Sequence, residues 1–304
     1  RSLLNQDVRW VPDFAGKKQF HDWLENIRDN GITRQRFWGT PLPVWKCNEC
    51  GEYDVIGSPE ELKEKSVDGN IPEDLHRPWV DDVKIKCGCG SVKERIPDIL
   101  DVWIDAGSVS WNCLDYPLSE ENFELFPAEF ILEGKDQIRG WFNLLLIASM
   151  VSMDCHSYDN VYMHGFVQDA QGRKMSKSLG NVISPEEVTE KYGSDVLRYY
   201  MITGANPGLD INYNFDDMKV KFRNLGVLWN VHKYLIDIAD VNGINPVDDI
   251  DMVLGDEEKY IISKLNSTIK KVTDSYDNYR VNEPAILVEE LFLELSRGYI
   301  QKVR

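Results

Sequence analysis

The chain has 304 residues, 42% of them hydrophobic, which exceeds a typical single core and is enough to bury one of good size. Its net charge of −17 argues against non-specific nucleic-acid binding through overall charge. Any RNA contact is left to local basic faces such as Lys219, Lys221, Arg223 and Lys233, which read equally well as a solvated helix face.

In chain order, Lys17 to Asp29 carry the apolar spacing of an amphipathic helix and lead into a strand-like approach to Trp38-Gly39-Thr40-Pro41. Two cysteine pairs follow, Cys47-x-x-Cys50 and Cys87-x-Cys89, beside Gly51, Gly88 and Gly90. Glycine-rich turns let backbone amides point at sulfur, and four thiolates at two short spacings suit a tetrahedral zinc ion. The second pair is tighter than the commoner finger spacing, and disulfides are the alternative, disfavoured in a reducing compartment. Cys113 and Cys155 lack partners at ligand spacing and read as small packed hydrophobes. Between the pairs, Ser58 to Arg77 is charged and holds Pro59, Gly69 and Pro72, an excursion between two strands.

From Arg95 onward apolar strands alternate with helices: Ile99 to Ile104, a turn-rich stretch to Pro127, Phe130 to Leu132, a helix through Met153, then Val161 to Val167. That is the pattern of an α/β fold, a parallel sheet with crossover helices, whose ligands bind at the carboxyl ends of the strands. Glu133-Gly134 follow directly on one such end. Asp101 and Asp105 read as structural or positioning groups, since nothing around them suggests a paired acid and base. The longest apolar run, around Leu144 to Met153, is too short to span a bilayer, and no signal-peptide pattern opens the sequence, so the expected compartment is the cytosol.

The loop from Asp169 to Ile183 carries Lys174-Met175-Ser176-Lys177-Ser178 and then Leu179-Gly180-Asn181. Two ammonium groups and two hydroxyls on a glycine-flanked loop suit a triphosphate. Lys174 and Lys177 would place compact positive charge where pyrophosphate leaves, while Gly172 and Gly180 let the loop close and reopen. No Gly-x-x-x-x-Gly-Lys-Ser/Thr string is present, which disfavours a P-loop. Beyond this loop the pattern is helical: Ser184-Pro185-Glu186-Glu187 has capping-box spacing, Ser194-Asp195 opens a second helix, and Met218, Phe222, Leu225, Trp229 and Leu235 lie near helical spacing. An acidic linker over Asp240 to Asp256 and helices over Glu257 to Asp277 and Pro284 to Val303 complete the chain, with no further strand expected.

The loop string resembles the signature of class I aminoacyl-tRNA synthetases. Three further blocks resemble the isoleucyl-tRNA synthetase family: Thr33 through Pro43, Leu100 through Ser108, and Glu133-Gly134-Lys135-Asp136-Gln137-Ile138-Arg139-Gly140-Trp141-Phe142. The valyl family is the nearest alternative, and a non-catalytic RNA-binding or assembly module on a degenerate synthetase fold is the other. The resemblance spans Trp10 to Arg304 and implies ATP-dependent joining of isoleucine to its tRNA, with magnesium accompanying ATP.

The resemblance implies that Glu133 holds the substrate ammonium, Gly134 admits the ribose, and Asp136 and Gln137 read its hydroxyls. It also implies that Trp103 and Trp141 wall the side-chain pocket, that His164-Gly165 cradle adenine, and that Lys174, Met175, Ser176, Lys177 and Ser178 face ATP. The family's second signature, a His-Ile-Gly-His type tetrad, has no match among His21, His76, His156, His164 and His232. The expectation is therefore a fragment that lacks the first half of the nucleotide fold and the editing insertion, inactive by itself. Its expected organisation is 1–46 as the edge of the insertion and the return to the catalytic domain, 47–94 as a zinc excursion, 95–205 as a Rossmann-like catalytic half, and 206–304 as part of a helical anticodon-binding domain.

Overall fold

The structure is a computed structural model and describes residues 4–248 and 253–304. The chain forms two compact units: Lys18–Glu129 and Asp136–Asp159 with the residues before Arg9 make one, and Arg9–Lys17, Phe130–Lys135 and the residues from Asn160 onward make the other. Among the described residues, no helix is long and apolar enough to cross a membrane.

The first unit contains a four-stranded antiparallel sheet in the order Tyr53–Val55, Val44–Cys47, Val92–Arg95, Ile85–Lys86. Trp45, Ile56, Leu62, Val80, Val83 and Ile85 form its core, and the Trp45 indole N–H donates to the Val83 carbonyl at 2.7 Å, so the buried ring keeps a partner. Leu62 arrives on a helix, Pro59–Lys65, whose start is set by Ser58 accepting the Glu61 N–H at 3.1 Å. The excursion between the cysteine pairs thus contributes core as well as charge. Two cations on Val92–Arg95 are buried and matched: Lys93 pairs with Asp54 at 2.6 Å, and Arg95 pairs with Asp81 and donates to the Leu42 and Asp98 carbonyls. Their carboxylates are essential neighbours, because a buried charge without a partner is costly.

The same unit packs two helices, Val102–Asn112 and Trp141–Met153, against each other. A Cβ on Gly107 would lie 2.9 Å from the Leu144 carbonyl oxygen, so the axes approach this closely only because position 107 is glycine. Here the structure corrects the strand expected over Ile99 to Ile104. Only Ile99–Leu100 is extended, paired antiparallel with Thr33–Arg34. Asp101 then caps the helix by accepting the Trp103 N–H at 3.2 Å, and Arg34 pairs with its carboxylate. Asp105 accepts from the Thr40 hydroxyl at 3.2 Å. The helix expected over Lys17 to Asp29 is a π-helical stretch, Ala15–Phe20, running into His21–Glu25.

The second unit holds a three-stranded parallel sheet in the order Arg9–Val11, Asn160–His164, Ile131–Gly134. The apolar run Val161 to Val167 is two strands, not one. It breaks after His164, and Val167–Gln168 pairs in parallel with Ile211–Asn212 in a separate sheet. The latter strand lies where only helices were expected, being too short to show alternation. Pro185–Tyr192, Ser194–Thr203, Phe215–Asn242, Asp256–Asp277 and Glu283–Glu294 are the helices that follow, and the last expected stretch continues through a π-helical turn, Leu295–Tyr299, to Ile300–Val303. Val188, Tyr192, Val196, Tyr200, Tyr213 and Met218 bury one cluster between the first of them. Ser184 caps Pro185–Tyr192 by accepting the Glu186 N–H at 3.1 Å, but Glu186 rather than Glu187 answers its hydroxyl. The acidic linker expected over Asp240 to Asp256 lies partly outside the described residues, at 249–252, and its beginning is the last turn of a helix closed at Gly243.

Candidate active site and metal centre

Strand pairing brings the four cysteines together. Val44–Cys47 and Val92–Arg95 run antiparallel side by side, so the turn after Cys47 and the turn before Val92 lie at one end of the sheet. Gly51 and Gly90, with φ of +79° and +90°, close those turns through 3.1 Å bonds to the Cys47 and Cys87 carbonyls. The sulfurs of Cys47, Cys50, Cys87 and Cys89 all lie within 4.8 Å of one another, with Cys47–Cys89 at 3.7 Å and Cys50–Cys87 and Cys87–Cys89 at 3.5 Å. Thiolates about 2.3 Å from a tetrahedral zinc ion stand about 3.8 Å apart. The cluster is compatible with zinc, and all six cysteines are free thiols.

The thiols also compete for charge. Cys47, which accepts the Cys50 backbone N–H, is held down to about 6. Cys87 accepts the Cys89 N–H but is pushed up to about 12 by burial and the adjoining thiols. Four thiolates this close repel one another, and a divalent cation at their centre resolves the conflict. Cys113, expected to be packed, is exposed, and Cys155 is half-buried.

The signature loop is a folded object. A short turn returns at Lys174, which bridges to Gln168, and the Met175 side chain packs on the cluster of Val188 and Tyr192. Ser176 caps a 3-10 turn, Lys177–Leu179, by accepting the Leu179 N–H at 3.3 Å, and meets the Ser178 hydroxyl at 3.1 Å. Lys174, Lys177 and Ser178 are exposed. Beneath them Asp169, 5% exposed, takes donors from the Gln171 and Arg173 amides on one oxygen and from Asn181 and the Arg173 guanidinium on the other. The Asn181 amide, with these backbone and guanidinium donors, holds its carboxyl down to about 2.

Glu133 and Gly134 end one parallel strand beside Met163 and His164 at the end of its neighbour, the position where such sheets bind ligands. The Glu133 carboxylate is exposed and accepts the Gly134 N–H at 3.0 Å. His164 is exposed, with Nδ1 2.6 Å from the Gly165 carbonyl. Gly165 could carry no side chain, since a Cβ would stand 2.1 Å from the Leu209 carbonyl oxygen.

In the first unit, Asp136 and Gln137 sit together on a 3-10 turn, Lys135–Arg139: the Gln137 amide donates to Asp136 at 3.1 Å, and its oxygen accepts the Trp141 N–H at 2.9 Å. Gln137 therefore caps the following helix as well. Trp103 and Trp141 stand at the amino ends of the two packed helices. The Trp141 indole donates to the Ala106 carbonyl at 2.9 Å, and Trp103 lines a 320 Å³ cavity with Ile104, Gly140 and Leu144.

Asp210 escaped the reading of the sequence. It pairs with Lys135 at 2.6 Å and accepts from the Phe166 N–H and the Gln168 amide, pinning the segment after His164. The basic helix face also changes meaning: Lys219, Lys221 and Lys233 pair with Asp216, Glu289 and Asp237.

Residues 2–214 match the family model "tRNA synthetases class I (I, L, M and V)", and 258–304 match "Anticodon-binding domain of tRNA ligase". The isoleucine–tRNA ligase of Methanopyrus kandleri is 43% identical across 98% of this chain and 29% of its own length, and that of Methanothrix thermoacetophila is 45% identical across 98% and 28%. The chain thus spans under a third of the length of these relatives. Among solved structures, the Agrobacterium radiobacter K84 LeuRS in a ternary complex with tRNA and LeuAMS aligns with a TM-score of 0.68 at 23% identity, over 92% of this chain and 38% of that one. Mycobacterium tuberculosis methionyl-tRNA synthetase with methionyl-adenylate aligns with a TM-score of 0.66 at 18% identity, over 95% and 47%. These two likenesses speak for the fold, and with the family match over 2–214 they place the chain among the class I aminoacyl-tRNA synthetases.

Proposed function

We infer that this chain carries the amino-acid- and pyrophosphate-handling part of an isoleucine–tRNA ligase, which joins isoleucine to its tRNA through an isoleucyl-adenylate. The observation that carries this reading is 43–45% identity to isoleucine–tRNA ligases over nearly the whole chain. In the first step the isoleucine carboxylate attacks the α-phosphorus of ATP and pyrophosphate leaves, so the protein must hold an ammonium, a ribose and a triphosphate in line. Glu133 supplies a carboxylate for the ammonium, Gly134 leaves room for the ribose, and Asp136 and Gln137 face its hydroxyls. Trp103 and Trp141 shape the side-chain pocket. His164 and Gly165 offer backbone groups to adenine. Lys174 and Lys177, with Met175, Ser176 and Ser178 around them, neutralise the departing pyrophosphate, and magnesium travels with ATP.

Zinc held by Cys47, Cys50, Cys87 and Cys89 fastens two hairpin turns and takes no part in the chemistry; reduced thiols of this kind suit a cytosolic enzyme. We read 47–94 as the zinc excursion, 95–205 as the catalytic half, and 206–304 as part of the domain that holds the anticodon stem. These 304 residues contain one of the family's two ATP-gripping signatures, so activity belongs to the complete ligase. The test is isoleucine-dependent ATP–pyrophosphate exchange in that ligase. Lys177→Ala should lower the rate by about 10²-fold with little change in isoleucine KM. Valine or leucine preferred over isoleucine would overturn the amino-acid assignment, and an unchanged rate with both lysines removed would overturn the role of the loop.

A further inference from the structure

We propose that Asn181, backed by Asp169, is a positioning residue that sets the separation of the two signature lysines. The inference rests on the reading of Lys174 and Lys177 as the pyrophosphate-handling pair. One carboxamide reaches both halves of the loop. Its Oδ1 accepts the Ser176 N–H at 2.9 Å, and its Nδ2 donates to the Lys174 carbonyl at 3.2 Å and to Asp169 at 2.9 Å. The first bond fixes the residue that caps the turn bearing Lys177, and the second fixes the peptide that follows Lys174.

Only a side chain that is donor and acceptor at once can do both, and Asp169 decides which end of the amide faces which way. Asp169 can serve as that reference because it is buried and its oxygens are occupied by Gln171, Arg173 and Asn181. Between the lysines, half-buried Met175 packs against the hydrophobic cluster while the two lysines stay exposed. Gly180 turns the chain back at φ +63°, and a Cβ there would meet nothing within 4 Å, so glycine serves the turn rather than the space. A triphosphate presents charges at fixed spacing, and a lysine displaced by about 1 Å loses most of its effect on the transition state.

The test uses the complete ligase. Asn181→Ala should lower kcat for isoleucine-dependent pyrophosphate exchange by about 10- to 100-fold while isoleucine KM stays unchanged. Amide hydrogen exchange at Ser176 and Leu179 should accelerate in the same variant. Asp169→Asn, which turns an acceptor oxygen into a donor facing Asn181, should act in the same direction and covers the case in which Asn181→Ala fails to fold. If Lys177→Ala slows exchange while Asn181→Ala and Asp169→Asn do not, the positioning role is overturned and the loop's role stands. If Lys177→Ala itself has no effect, the reading of the lysines has failed.

Discussion

Two single residues show how close contact governs this chain. Gly165 lies against the Leu209 carbonyl, so Gly165→Ala must move backbone, and we expect a loss of about 1–3 kcal/mol, read as a lower unfolding midpoint in urea. Asp169 gives a pH-dependent case. Its carboxyl ionises near 2 in the folded loop against an ordinary value of 3.8, so its contribution is complete above 3.8 and fades as pH falls from 3.8 toward 2. Carboxyl chemical shifts followed by NMR should place its midpoint well below the ordinary 3.8. A midpoint near 3.8 would mean that the four donors do not hold it.

At the scale of elements, caps and turns decide where structure begins. Ser58→Ala removes the acceptor for Glu61 at the start of Pro59–Lys65 and should cost about 1 kcal/mol, whereas Ser267→Ala on an exposed helix face should cost nearly nothing. The four-stranded sheet depends on more than its strands, because its two cysteine turns meet at one end. Elemental analysis should find one zinc ion per chain, and chelation should raise amide exchange in Val44–Cys47 and Val92–Arg95 before it affects the parallel sheet. Protein purified without chelator and free of zinc, or cysteines joined as disulfides, would remove the metal assignment.

At the scale of the whole molecule, charge is organised by pairing. The net charge of −17 leaves any nucleic-acid contact to local groups, yet Lys219, Lys221 and Lys233 already answer acids. Glu289 is nearly enclosed and takes Lys221, Tyr199 and Asn224 together. Lys221→Met should therefore lower stability by about 1–3 kcal/mol while leaving the salt dependence of tRNA binding unchanged; a slope reduced by about 1 would mark it instead as a phosphate contact.

The sequence by itself determined the features whose chemistry is local. Four cysteines at short spacing, the lysines and serines of one loop, a carboxylate at a strand end, and the helical run beyond residue 184 were legible because neighbours along the chain carry the signal. Tertiary structure decided what depends on partners far away. Asp101 ends a strand that apolar alternation extended to Ile104, since Arg34 and a helix start claim it. Ile211–Asn212 is a strand only because Val167–Gln168 lies beside it. Asn181 matters through Asp169, twelve positions earlier, and Lys221 through Glu289, 68 positions later. Hydrogen bonds and ion pairs are satisfied in space, while sequence patterns report only the periodicity of the backbone, so residue types can suggest chemistry but the fold chooses their partners.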